Sequence, residues 1–241
     1  MKILALDSTA RVASVALCED GNLLGEYTIN NGNTHSETLL PMVESIVKLF
    51  GMELGEIDAF AVSTGPGSFT GVRIGAATVK GLAFASGKPC VGISTLEALA
   101  YNPARDGLIC PVMNARRNQV YTALFQCKDG KIERLMPDSA IAIEELDQIL
   151  AQYEEPVILC GDGYDITERQ LTHPVIPLPE RLRHQSAFNV ALCAIDTIKE
   201  GRTESDSSLF PTYLRPSQAE RERNEREKKQ SDKINERGKS T

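Results

Sequence analysis

Four places in the chain gather residues able to do chemistry. Asp7-Ser8-Thr9 sets one carboxylate beside two hydroxyls after the apolar run Ile3 to Leu6. Such a turn can approach a phosphate or metal, or it can satisfy itself through local Asp and Ser hydrogen bonds. The stretch from Ser63 to Gly71 carries Gly65, Gly67 and Gly71 and leads into an apolar helical run. Its backbone N–H groups, with a helix N-terminus behind them, suit an anion. The spacing is neither that of a P-loop nor that of a dinucleotide-binding fingerprint. Glycines that only permit a tight strand-to-helix turn give the same pattern. Asn114 with Arg116-Arg117 suits a phosphate or a carboxylate, or is solvated loop charge. Gly161-Asp162-Gly163 is a tight turn after a second apolar run, matching Asp7 in a second half of the chain.

Metal and thiol chemistry find little support. The three histidines, His35, His173 and His184, show neither HxxxH nor HExxH spacing. The six cysteines are never closer than 17 positions and mostly lie in apolar runs. That pattern predicts buried, reduced thiols and a cytoplasmic protein. No run of about 18 apolar residues exists, so no membrane span is expected. A net charge of −7 over 241 residues does not favour nucleic acid.

These groups need elements to hold them. Alternating apolar residues predict strands over 2–8, 12–18 and 23–29, with Asp20-Gly21-Asn22 as a hairpin turn. Helical spacing at Leu39, Met42, Val43, Ile46, Val47 and Phe50 predicts a helix over 36–50. Pro41 either kinks it or marks its first turn. A strand over 57–63 feeds the glycine stretch, and a helix over 72–86 follows, then a strand over 91–93 and a helical piece over 95–101. Beyond Asn102-Pro103 the pattern gives strands over 107–112 and 119–126, a helix over 143–152 and a strand over 156–160. A proline-rich loop over 172–184, an apolar helix over 185–201 and a short structured close at 210–216 complete the body. The last 25 residues carry eight Lys/Arg and six Asp/Glu with only Ile234 as a large apolar residue. They cannot build a core, so 217–241 is expected to be a charged, disordered tail.

This order predicts an α/β fold of the actin, Hsp70 and sugar-kinase (ASKHA) type with two lobes, the second reduced. The boundaries are 1–102 for the first lobe and 103–216 for the second, whose C-terminal segment returns to the first. A surface is expected as well. Gly71, Gly75, Ala76, Val79 and Ala83 form a small-residue stripe, and the 36–50 helix has more apolar positions than one buried face needs.

Three segments carry a resemblance: Ile3 to Thr9, His35-Ser36-Glu37-Thr38-Leu39-Leu40-Pro41, and Gly65-Pro66-Gly67-Ser68-Phe69-Thr70-Gly71-Val72-Arg73-Ile74-Gly75. Together with Ala115-Arg116-Arg117, Val120-Tyr121 and Pro211-Thr212-Tyr213-Leu214-Arg215 they resemble the TsaB (YeaZ) family over about residues 1–216. Those proteins are subunits of bacterial tRNA threonylcarbamoyladenosine biosynthesis. The resemblance implies a non-catalytic partner of TsaD, the related enzyme that transfers a threonylcarbamoyl group to the adenosine beside the anticodon. It implies that an ATPase, TsaE, joins the pair, that the chain also self-associates as a homodimer, and that tRNA is met only indirectly, through the complex. The implied interface lies on the first two helices, at His35, Leu39, Met42, Val43, Ile46, Val72, Arg73, Gly75, Ala76, Val79, Lys80 and Ala83. No cofactor is implied for the lone chain, and nucleotide near Asp7, Ser8, Thr9, Gly65 and Gly67 only within the complex. TsaD-like proteins hold a metal with two histidines four apart. Thr95 and Leu99 stand at those positions here, and neither is an adequate ligand. The alternative is an independent ATP-dependent kinase or ATPase of the same fold. A peptidase is disfavoured by the missing histidine pair.

Overall fold

In the computed structural model, residues 1–32 and 34–215 are described. The expected tail, 217–241, lies outside them. Strands β1 (Lys2–Asp7), β2 (Ala13–Glu19) and β3 (Asn22–Ile29) form an antiparallel meander. Helix α1 (His35–Leu49), strand β4 (Ala59–Gly65), helix α2 (Phe69–Ser86), strand β5 (Cys90–Ser94) and helix α3 (Thr95–Ala100) follow. β4 joins β1 in parallel, giving the order β3-β2-β1-β4-β5.

The second half repeats this plan. β6 (Gly107–Arg116), β7 (Gln119–Lys128) and β8 (Lys131–Ala142) form another meander. Helix α4 (Ile143–Leu150), strand β9 (Val157–Cys160), helix α5 (Tyr164–Glu168) and strand β10 (Val175–Ile176) complete it. The sheet order is β10-β9-β6-β7-β8, the same permutation as the first. Two copies of one 3-2-1-4-5 sheet define the ASKHA fold. The second copy is reduced in its helices: α4 and α5 span 8 and 5 residues, where α1 and α2 span 15 and 18.

Both faces of the first sheet are buried, so its strands alternate between two apolar layers. Leu4 and Leu6 of β1 pack with α1 and α2, while Ile3 and Ala5 pack on the opposite face. That opposite face is covered by helix α6 (Ala187–Lys199), which supplies Val190, Ala191 and Ala194. α6 therefore belongs to the first sheet although it follows the second in sequence. Its N-terminus is fixed by Glu26 of β3, whose Oε1 accepts from Ser186 Oγ at 2.8 Å and Phe188 N–H at 3.2 Å. Helix α3 lies between the sheets, turning Ala98 to the first core and Leu96, Leu99 and Ala100 to the second.

Several elements differ from the sequence expectation. α2 starts at Phe69 rather than 72, because Ser68 caps it by accepting from Gly71 N–H at 3.3 Å. Pro41 sits in the second turn of α1 and does not mark its start. β8, α5 and β10 had no counterpart. β8 is an edge strand with an exposed side and Pro137 in its middle, so its apolar alternation is faint.

α2 also meets the first hairpin at unusually close range. A Cβ on Gly71 would fall on the Ser8 carbonyl oxygen, and one on Gly67 on that of Thr9, far inside van der Waals contact. Gly81, further along α2, is exposed with nothing near it. Gly71→Ala is therefore expected to lower stability by about 1–3 kcal/mol through overpacking. Gly81→Ala is expected to raise it by about 0.5–1 kcal/mol, since glycine is a poor helix former. Urea unfolding of the two variants beside the parent chain checks both signs.

Candidate functional site

A cleft of about 690 Å³ opens between the two halves. Its first wall is the β1–β2 turn, Thr9 to Arg11, with the start of α2, Gly67 to Thr70 and Arg73. Its second wall is Met113 to Arg116 of β6 with Tyr121 and Asp162.

Asp7 is fully buried at the end of β1. Its Oδ2 accepts from Ser63 Oγ at 2.5 Å, and its Oδ1 accepts from Thr9 N–H at 2.9 Å and Thr9 Oγ1 at 2.8 Å. Ser8 Oγ donates to the Gly71 carbonyl at 2.9 Å. Asp7 and Ser8 are thus used up in joining β1, β4 and α2 and do not face the cleft. Neither side chain is open to a nucleotide in the lone chain. Of the other three residues, Thr9 and Gly67 line the cleft. Gly65 instead faces the backbone of Thr212, whose N–H donates to the Thr64 carbonyl at 2.7 Å.

Asp162 is the acid on the cleft lining, and its Oδ1 accepts from Asn114 N–H at 3.2 Å. Across the mouth runs a strap, residues 209–215, which the sequence pattern marks only as a short structured close. Tyr213 stacks on Phe69 with ring centroids 4.5 Å apart and receives a hydrogen bond from Arg73 Nε at 2.8 Å. Arg215 reaches the second half, donating to the Ala115 carbonyl at 3.1 Å. Lys80 Nζ donates to the Leu209 carbonyl at 3.3 Å and lies over the Phe210 ring.

The expected interface residues divide into three groups. Leu39, Met42, Val43, Ile46, Val72, Ala76, Val79 and Ala83 are buried in the chain's own core, at 4% exposure or less. All but Val72 and Ala76 pack in the core on the first sheet, because each helix turns its apolar stripe inward, and none of the eight is open to a partner in this fold. Gly75 lies against Ser8 Oγ and Val62, and His35 Nε2 donates to the Ala10 carbonyl at 2.7 Å; both position the hairpin. Arg73 and Lys80 do point outward, where the strap engages them. The outward faces also carry Leu40 of α1 and Ala77, Gly81 and Phe84 of α2, with Phe84 77% exposed. The small-residue stripe marked by the sequence, Gly71, Gly75, Ala76, Val79 and Ala83, does not include this row.

Thr95 and Leu99 are fully enclosed in α3. Leu99 packs with Ile109, Met113 and Phe125, and Thr95 Oγ1 has no hydrogen-bond partner among the described residues. All six cysteines are free and buried. Burial pushes Cys110 up to about 12 and Cys90 to about 11, so neither is a thiolate near neutrality. No helix of the described residues is long and apolar enough to cross a membrane.

The doubled sheet and the cleft between its halves place the chain among two-lobed ASKHA proteins. Within that class, residues 23–222 match the family model described as TsaD: tRNA N6-adenosine threonylcarbamoyltransferase. The chain is 32% identical to the tRNA threonylcarbamoyladenosine biosynthesis protein TsaB of Bacillus subtilis, over 91% of this chain and 96% of that one. It is 30% identical to TsaB of Escherichia coli, over 89% and 95%. YeaZ from Pseudomonas aeruginosa superposes with a TM-score of 0.76 at 28% identity, covering 88% of this chain and 99% of that one. The chain belongs to the TsaB (YeaZ) family of tRNA threonylcarbamoyladenosine biosynthesis proteins.

Asp7 yields a pH test. Burial pushes its carboxyl up, and the hydrogen bonds from Ser63 and Thr9 only partly offset this. A folded pKa above the unfolded one means that folding takes up a proton between them, so this group's contribution to stability falls as pH rises through that window. Asp7→Asn removes the dependence. Relative to Asp7→Asn, the parent chain is expected to lose stability as pH rises from about 4 toward the raised pKa. Urea midpoints across that range measure it; a difference constant with pH contradicts it.

Proposed function

We infer that this chain is a non-catalytic subunit that binds and orders TsaD in the complex forming threonylcarbamoyladenosine in tRNAs that read codons starting with A. TsaE is the further member of that complex, and self-association uses the same face as TsaD. The observation that carries this reading is the filling of the positions where TsaD-like proteins hold their metal. Thr95 and Leu99 are enclosed in hydrocarbon, and leucine has no lone pair to offer. Sealing of Asp7 by Thr9 and Ser63 supports it from the other end of the site. The kinase reading requires an acid facing the cleft from the first hairpin, where Asp7 is enclosed.

The docking face is then the outward row of α1 and α2, at Leu40, Ala77, Gly81 and Phe84. Ala77 and Gly81 let a partner helix come close, and Phe84 is a large exposed anchor. Substituting Val72 or Ala76 with a charge would strike the chain's own core and could not separate lost binding from lost folding.

Two outcomes test the proposal. With tRNA and threonylcarbamoyl-adenylate but no TsaD, the chain is expected to modify no tRNA; product in that mixture contradicts the non-catalytic role. Phe84→Asp is expected to weaken TsaD binding at least about thirtyfold, on the order of 2 kcal/mol, with an unchanged thermal midpoint. Calorimetric titration reads the affinity, and parent-like affinity moves the docking face elsewhere.

A further inference from the structure

The function proposed above leaves the interlobe cleft unused, and its walls carry a charge pattern at odds with the chain as a whole. Residues 1–216 sum to −9. Yet Arg11 on the first wall and Arg116 on the second face one cleft, and Arg117 is next in the β6–β7 turn. None of these three side chains has a hydrogen-bond or ion-pair partner among the described residues, whereas Arg134, Arg183 and Arg202 are each paired with carboxylates.

The turn that presents the arginines is conformationally costly. Arg116, Arg117 and Asn118 have φ of 62°, 54° and 58°, three successive side-chain-bearing residues in the left-handed region that glycine prefers. Asn114 supports it, its Oδ1 accepting from Arg116 N–H at 2.8 Å. Asp162 is the acid on the lining, with one oxygen engaged by Asn114 N–H.

The rim adds flat aromatic surface. Phe69 lines the cleft and Tyr213 stacks on it with planes 7° apart, leaving Tyr213 42% exposed. Arg73 lies over both rings at 5.7 and 5.6 Å, and the same cleft carries Arg11 and Arg116. Parallel rings on a cleft lined by arginines suit a polymer with planar bases and a phosphate backbone, since bases extend such a stack while arginines take phosphates. An acidic peptide would use the arginines but has no need of the stacked rings.

We propose that the cleft is an RNA-contact site: Arg11 and Arg116 bind backbone phosphates from opposite walls, and a base adds to the Phe69–Tyr213 stack. The RNA it takes is the tRNA acted on by the complex, so that identity rests on the function proposed above. The contact itself does not. It departs from the expectation that tRNA meets this chain only indirectly.

The test uses the full lone chain and a labelled, unmodified tRNA, with fluorescence anisotropy read at low salt and through a salt titration. The parent chain is expected to bind, and Arg11→Glu/Arg116→Glu to bind at least tenfold more weakly. The slope of log affinity against log salt should be shallower by about 1 for each phosphate that the variant no longer holds. Arg169→Glu, at the exposed end of α5, is the control and should change affinity less than twofold. No binding by the parent chain, equal binding by the double variant, or an equal loss in the control would each overturn the proposal. So would a double variant that loses ATP binding by calorimetry while keeping tRNA affinity, since the cleft would then serve a free nucleotide. Retention of TsaD is measured separately by co-elution. Its failure would count against the docking role and leave the RNA result standing.

Discussion

The contact on which the rest depends is the seating of α2 against the first hairpin. Backbone meets backbone there: Gly67 and Gly71 lie against the carbonyls of Thr9 and Ser8 with no room for a side chain. Ser8 Oγ donates to the Gly71 carbonyl, and His35 closes the turn from α1 by donating to Ala10. This seating pushes Asp7 into the interior, where Ser63 and Thr9 satisfy it. It also sets the angle at which α2 leaves the sheet, and so which residues of α1 and α2 remain outside. One contact thereby encloses Asp7 and fixes which residues of α1 and α2 stay exposed.

Much of the fold was legible because its strands are buried on both faces. Ile3, Leu4, Ala5 and Leu6 form an unbroken apolar run, as do Val157 to Cys160, and such runs stand out without any periodicity. β8 escaped notice for the opposite reason: as an edge strand it mixes Arg134, Glu133 and Pro137 with apolar residues. The placement of α6 was legible only in part. Its apolar pattern announces a helix, but the partners that bring it to the first sheet, Ser14 and Glu26, lie more than 150 positions away. Long-range contacts of that kind leave no local trace.

The interface shows a sharper failure. Helical spacing marks Leu39, Met42, Val43, Ile46, Val47 and Phe50 as one helix with more apolar positions than one face needs, and small residues mark a stripe on α2. Spacing cannot say whether a stripe faces a partner or the chain's own sheet, and here the sheet takes it. The glycines read as room for a neighbouring helix are room for the hairpin. The residues that remain outside include Leu40, Leu49, Ala77, Gly81 and Phe84, together with the charged Glu37, Glu44, Arg73 and Lys80. The strap at 209–215 covers those two cations, joining the α2 face to the cleft mouth through Phe210 and Tyr213.

The proposed docking face and the cleft thus share α2, the one offering Ala77, Gly81 and Phe84, the other Phe69 and Arg73 at the N-terminal end. We have proposed that TsaD sits on the outward row. Oxidative side-chain footprinting of the full chain, alone and with saturating TsaD, tests it residue by residue. Phe84 and Leu40 are expected to be labelled in the lone chain and protected in the complex, while Met42 and Val72 stay unlabelled in both. Phe84 and Leu40 labelled equally with and without TsaD would contradict it.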